Sequence, residues 1–269
     1  VWGSGVNDCD YVRFFGEGHI FRRNYLHGTK EEEIGPAHVD GWQTYAVNPG
    51  EYAKDILIDG NILTDHFMHG VMMEGRTDKS GTCSAEGIRI INNVFAGGVS
   101  TVTAFGGRLI IANNTFVRVR DVGMRLEVNE DDDTPTSAVV VNNIFYDSFF
   151  PYRPLRKGEE VGVYRGCSMK AGRNLIFSTS FSEIPPLYAP DDILNTDPCM
   201  ASPQNLVGSD GKPFTRDDGY LLKETSPCID AGFLIEEMTG TKDICGAKRV
   251  VNSRIDIGAH EFAPMKGGG

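Results

Sequence analysis

Short apolar segments, each ending in asparagine and followed by another apolar stretch, recur along the first two thirds of the chain. In order they are HIFRRNYL (Asn24), ILIDGNIL (Asn61), IRIINNVF (Asn93), LIIANNTF (Asn114), VVVNNIF (Asn143) and AGRNLIF (Asn174), with the asparagines 37, 32, 21, 29 and 31 residues apart. Within each segment apolar side chains follow the period of two that belongs to a strand, and helical periodicity is absent throughout. Asparagine forms turns and tolerates a left-handed backbone, so strand, asparagine, strand bends a chain without a helix. Repeating that bend predicts an all-β solenoid of about six coils, its asparagines stacked so that their side-chain amides bond in a ladder.

A second set of strands opens on a small residue. Aligned on Gly41, Gly70, Gly98 and Gly123 they read DGWQTY, HGVMMEGR, GGVSTVTA and VGMRLEV. Simple alternation then points Trp42, Val71, Val99, Met124, Thr44, Met73, Thr101 and Leu126 inward. Gln43, Met72, Ser100 and Arg125 form one outward column, and Tyr45, Glu74, Val102 and Glu127 the next, with Arg76 beyond Glu74. Neighbouring strands about 4.8 Å apart would gather these polar groups into one shallow groove, the shape an extended polymer needs.

The candidate chemistry follows from that groove. AHVDGWQTY brings His38, Asp40, Gln43 and Tyr45 together, a titratable imidazole and carboxylate beside an amide and a phenol. Such a set suits sugar chemistry, with a carboxylate or histidine as base and a second carboxylate protonating the leaving oxygen. An equally good reading has His38 and Asp40 anchoring the loop that holds Lys30 to Glu33. Glu74 with Arg76, and Arg125 with Glu127, read either as cation and uronate ligands or as surface ion pairs of little energetic weight. His66 and His69 read as packed histidines, and Glu130 to Asp133 as a solvated turn. Phe145, Tyr146, Phe149, Phe150 and Tyr152 read as flank packing or as a stacking surface for sugar rings. Asn113-Asn114-Thr115 matches a glycosylation sequon.

Composition narrows the classes. With 37 acidic and 26 basic residues the formal charge is -11, which repels nucleic-acid phosphates and anionic membranes. No apolar run approaches a bilayer span. The opening VWGSGVNDCD lacks the regions of a signal peptide, so the expectation is a removed leader or a fragment. Six cysteines include no CxxC pair and no zinc spacing. Cys199, Cys228 and Cys245 fall close enough in sequence for one disulfide, with buried thiols as the alternative.

The NNxF segments resemble the right-handed single-stranded parallel β-helix repeats of the pectate-lyase-like superfamily over roughly residues 10 to 180. SPCIDAG (Ser226 to Gly232) and DIGAHEF (Asp256 to Phe262) are similar to the SPAIDAG and DIGAYE endings of uncharacterised bacterial β-helix proteins. The resemblance implies coils over 1 to 180, a capping region over 181 to 269, an extracellular or cell-surface setting, and a polysaccharide partner. It implies catalysis by a lyase or a glycoside hydrolase. In the resembling lyases a basic side chain removes the proton next to a uronate carboxylate, which Ca²⁺ or Arg neutralises, making Arg76 and Arg125 the candidates. The expected catalytic set is therefore His38, Asp40, Glu74, Arg76, Arg125 and Glu127, with Gln43, Tyr45 and Met72 binding substrate and a Ca²⁺ requirement left open. A non-catalytic carbohydrate-binding protein, an adhesin or a filament subunit associating end to end is the other class, since one fold carries many functions.

Overall fold

The structure, a computed structural model, describes residues 10–34, 37–46, 48–65, 67–120, 122–148, 167–179 and 189–263, and of Glu33, Ile34, Val122 and Gly123 only the backbone. Cys9, His66, Phe149, Phe150, Tyr152 and the terminal glycines lie outside them. The described residues are all-β apart from two single turns, Glu31–Ile34 and Glu236–Met238.

Among the described residues four sheets are built, and every ladder between their strands is parallel. Five strands form the sheet of interest: β1 (Val12–Arg13), β2 (Asp40–Ala46), β3 (His69–Gly75), β4 (Ser100–Phe105) and β5 (Val122–Glu127), paired in that order. A three-stranded, a six-stranded and a seven-stranded sheet take up the chain in turn between them. Each strand pairs with its equivalent one repeat earlier and one repeat later, as in Ile62–Leu63 beneath Val94–Ala96 and Val94–Ala96 beneath Thr115–Val117. Parallel neighbours need long connections, and here the rest of each repeat supplies them.

The asparagine ladder is present. Backbone N and Nδ2 of Asn24, Asn61, Asn93, Asn114 and Asn143 each donate to Oδ1 of the next member at 2.8–3.0 Å, and Asn174 ends the series on Asp192 Oδ1. The left-handed residue is the one before each ladder asparagine: Arg23, Gly60, Asn92, Asn113, Asn142 and Arg173 all have φ between 55° and 63°. The bend therefore takes two residues, one to turn and one to bond. Inside, Phe95, Phe116 and Phe145 stack at centroid distances of 5.5 and 4.8 Å, each belonging to an NNxF segment. Tyr146 is buried against Phe177 on the flank.

Of residues 189–263, expected to cap the coils, Ile193–Leu194 is the edge strand of the seven-stranded sheet and later residues pack along its outer side. Tyr220, Leu222, Cys228, Ile244 and Ile257 cover Ile62, Val94, Val117, Ile144 and Leu175 on that face. DIGAHEF docks by backbone: Asn113 Nδ2 donates to Asp256 O, Gly258 N to Asn142 O, and Ala259 N to Thr115 Oγ1. Gly258, at φ +93°, lies so close that a Cβ would meet Ile144 at 2.4 Å. Asn113, the sequon asparagine, is thus fully buried. Of the two readings of Cys199, Cys228 and Cys245, the structure has free thiols: these three, with Cys83 and Cys167, form no disulfide among the described residues.

Candidate functional site

Simple alternation fails at one point in β2, β3 and β4, and that failure builds the site. In β2 both Gly41 and Trp42 turn inward. A Cβ on Gly41 would lie 2.7 Å from Leu63, and Trp42 is packed in the core. In β3 Gly70 and Val71 do the same, with a Cβ on Gly70 meeting Phe95 at 2.7 Å. The ladder skips this position, running Asp40 to His69, then Trp42 to Val71. Two inward residues in succession leave Asp40 and Gln43 on the same outer side, where Gln43 Nε2 donates to Asp40 Oδ2 at 3.1 Å. Ser100 and Thr103 repeat the arrangement one strand on, their hydroxyls 3.2 Å apart.

Three cross-strand rows result. Asp40, His69 and Ser100 form the first, and Arg13, Gln43, Met72, Thr103 and Arg125 the second. Tyr45, Glu74, Phe105 and Glu127 form the third. The β4 alignment expected from Gly98 is corrected by three positions: Val71 pairs with Val102, so Val102 is core and Thr103 and Phe105 face out. Gly98 instead serves a turn, with φ +67° and no room for a Cβ against Phe67. Across these rows Gln43, Met72, Thr103 and Glu127 are buried, and Tyr45, Glu74, Phe105 and Arg125 are half-buried.

At the first row Asp40 holds two imidazoles. Its fully buried carboxylate takes His69 Nδ1 on Oδ1 at 3.0 Å and His38 Nδ1 on Oδ2 at 3.3 Å. His69 backbone N also donates to Oδ1. Burial alone would raise the Asp40 pKa, but the hydrogen bonds and charges of His38 and His69 together hold it below the usual range. Asp10 accepts Asp40 N and pairs with Arg13, whose Nη1 donates to the Tyr45 hydroxyl. His69, expected to be a packed histidine, is thus part of the cluster. Its signal in the sequence is the match of HG at Gly70 to DG at Gly41.

The third row separates its two carboxylates by environment. Glu74 has no hydrogen-bond partner among the described residues, and burial raises its pKa against the lowering pull of Arg76, with Asp131 adding repulsion. Glu127 is buried and receives Arg125 in a two-pronged pair at 3.0 and 3.1 Å, while the guanidinium lies 4.9 Å over the Phe105 ring. Arg76, expected beside Glu74, lies past the end of β3 and pairs with Asp131. The run Glu130 to Asp133 is an exposed turn, as read from the sequence, and two of its carboxylates also make contacts. Asp131 holds Arg76, and Asp132 accepts Thr77 N at 2.9 Å.

Two groups among the described residues have metal-ligand geometry, His38 with Asp40 and His69, and Asp243 with Cys245 and His260. Both contain imidazole, so neither has the all-oxygen donor set that suits Ca²⁺. Asp40 and Glu74 do not form a working carboxylate pair, being five residues and one strand apart, about 17 Å between Cα atoms at strand spacing. No family model matches the chain, and no curated protein is similar to it.

Proposed function

We propose that the chain is a right-handed parallel β-helix of the pectate-lyase-like kind and that it hydrolyses a neutral polysaccharide outside the cell. Strands that pair in parallel one repeat apart support the helical path, and parallel crossovers are overwhelmingly right-handed. The resemblance of the NNxF segments and the DIGAHEF ending supports the same fold.

One observation carries the reaction: Glu74 and Glu127 share an outer row, two strands apart, in opposite electrostatic surroundings. Two strand spacings put their Cα atoms about 9.6 Å apart, close to the roughly 6.5–9.5 Å that admits a water between paired carboxyls in inverting glycosidases. Glu74, its carboxyl pKa raised by burial, is the acid that protonates the leaving glycosidic oxygen. Glu127, paired with Arg125, is the base that takes a proton from the attacking water. Tyr45 and Phe105 flank Glu74 in the row, each half-buried and with an arginine, Arg13 or Arg125, over one ring face. A neutral glycan fits best, because Arg13, Arg76 and Arg125 already face Asp10, Asp131 and Glu127, and the net charge repels polyuronates.

The test is to incubate the purified chain with neutral and acidic polysaccharides and measure reducing ends and ultraviolet absorbance. New reducing ends without absorbance are expected, reduced about 10²- to 10⁴-fold in Glu74→Gln and Glu127→Gln. Absorbance rising with the reducing ends would move the reaction to β-elimination. No products across the panel would leave a binding or filament protein.

A further inference from the structure

The geometry points to a site for one divalent transition-metal ion of the zinc class, held by His38 Nδ1, Asp40 and His69 Nδ1. It is independent of the proposed hydrolysis, since it lies at the opposite end of β2 and β3 from Glu74.

The three donors are close enough to converge on one ion. Zinc takes imidazole nitrogen and carboxylate oxygen at roughly 2.0–2.2 Å, which sets neighbouring ligand atoms about 3–3.5 Å apart. His69 Nδ1 stands 3.0 Å from Asp40 Oδ1 and His38 Nδ1 3.3 Å from Oδ2, and one donor atom from each residue lies within 4.8 Å of the others, so small side-chain shifts complete the shell. Two imidazoles and a carboxylate select a borderline transition metal over Ca²⁺ or Mg²⁺ and leave coordination positions for water. The shell has an approach, because the His38 side chain is 35% exposed.

The surroundings are those of a fixed ligand. His69 N–H sits on Asp40 Oδ1 and the Gln43 amide on Oδ2, one donor for each oxygen. That leaves each oxygen one further lone pair, and both are directed at the imidazoles. Without a cation each Nδ1 carries the proton that bonds Asp40; with one, that proton sits on Nε2 and Nδ1 ligates. Such outer partners orient metal ligands. Gln43 is buried, and its Oε1 has no hydrogen-bond partner. A flipped amide would turn this oxygen toward Asp40, which is favourable only with a cation between them.

The other donor group is less well set. His260 Nδ1 accepts Leu222 N–H at 3.0 Å, which places the ring proton on Nε2 and occupies both nitrogens.

The full chain, stripped with a chelator and dialysed against Zn²⁺, is expected to retain one equivalent, measured by atomic emission, with excess Ca²⁺ failing to displace it. His38→Ala with His69→Ala is expected to abolish retention, Gln43→Ala to weaken it about tenfold, and His260→Ala to leave it intact. Asp40→Asn, nearly isosteric, keeps the proposal testable if the histidine variants do not fold, and it should lose the ion with unchanged circular dichroism. Co²⁺ in place of Zn²⁺ should give weak visible bands only. Substoichiometric zinc in the wild type, retention by Asp40→Asn, or a thiolate-to-cobalt charge-transfer band placing the ion at Cys245 would each overturn the assignment.

Discussion

A buried asparagine amide is useful to a stacked fold because it donates and accepts in one plane. Asn114 Nδ2 donates to Asn143 Oδ1 and Ile90 O, while its Oδ1 takes both donors of Asn93. Asn114→Ala therefore strands buried partners on two repeats at once, and each such group costs about 1–3 kcal/mol. A loss of about 3 kcal/mol is expected in urea unfolding, against much less for Asn24→Ala at the half-buried end of the ladder. Asp40 and Glu74 respond to pH in opposite senses. The Asp40 pKa is lowered on folding, so its stabilisation is present above the ordinary value of 3.8 and vanishes as pH falls through the lower folded value. Asp40→Asn should remove that acid-side loss of stability. The Glu74 pKa is raised above 4.5, so ionising it costs stability as pH climbs through the folded value. The same ionisation removes the general acid, and cleavage should decline on the alkaline side of that value. Glu74→Gln should be at least as stable as the wild type at neutral pH, and a lower melting temperature there would show that Glu74 is structural.

At the scale of the strand, the departure from alternation decides which side chains meet. Gly41 and Gly70 face inward where the next strand's carbonyl and an aromatic or leucine side chain leave no space for a Cβ. Gly70→Ala must push back Phe95 and the Thr101 carbonyl, a strain of about 1–3 kcal/mol. Because it also tilts His69, the Nδ1 chemical shift of that ring should change, whereas Gly240→Ala, in an open turn, should leave it alone. The repeating bends were legible from residue type, since an asparagine in register with five others has few other uses. The register of β4 was not. Its inward position carries Thr101 where β2 and β3 carry glycine, and the nearby Gly98 answers a turn's need for positive φ. Periodicity of two also hid His69, because a break in alternation is set by packing against Leu63 and Phe95, residues distant in sequence. The Arg76 to Asp131 pairing was hidden for a related reason: it joins turns 55 residues apart.

For the whole molecule, the C-terminal region matters as a cover. The seven-stranded sheet has apolar outer rows, with Ile62, Val94, Ile144 and Leu175 in one and Val117 in the next, that would otherwise face water. Arg249 secures the covering segment. It is fully buried, its Nη2 donates to Asp256 O and Gly258 O, and its Nε stands 3.8 Å from Glu261 Oε2. Asp256 and Asp243 in turn accept backbone N–H groups from Asp230, Phe262, Ala247 and Glu261. One cation thus organises SPCIDAG and DIGAHEF into a clamp whose Gly258 and Ala259 bond directly to the coils. Arginine stays charged even here, so removing it leaves Glu261 buried without its counter-ion. Arg249→Met preserves volume and loses the charge, and breaking a buried pair this way costs about 3–5 kcal/mol. The docked segment should loosen before the coils unfold, because the asparagine ladder and the phenylalanine stack do not include it. The expected readout is a lower-temperature first transition in calorimetry, with dye binding and concentration-dependent association as the apolar rows are exposed. A single transition at the wild-type temperature would mean that the backbone bonds of Gly258 and Ala259 hold the cover without Arg249.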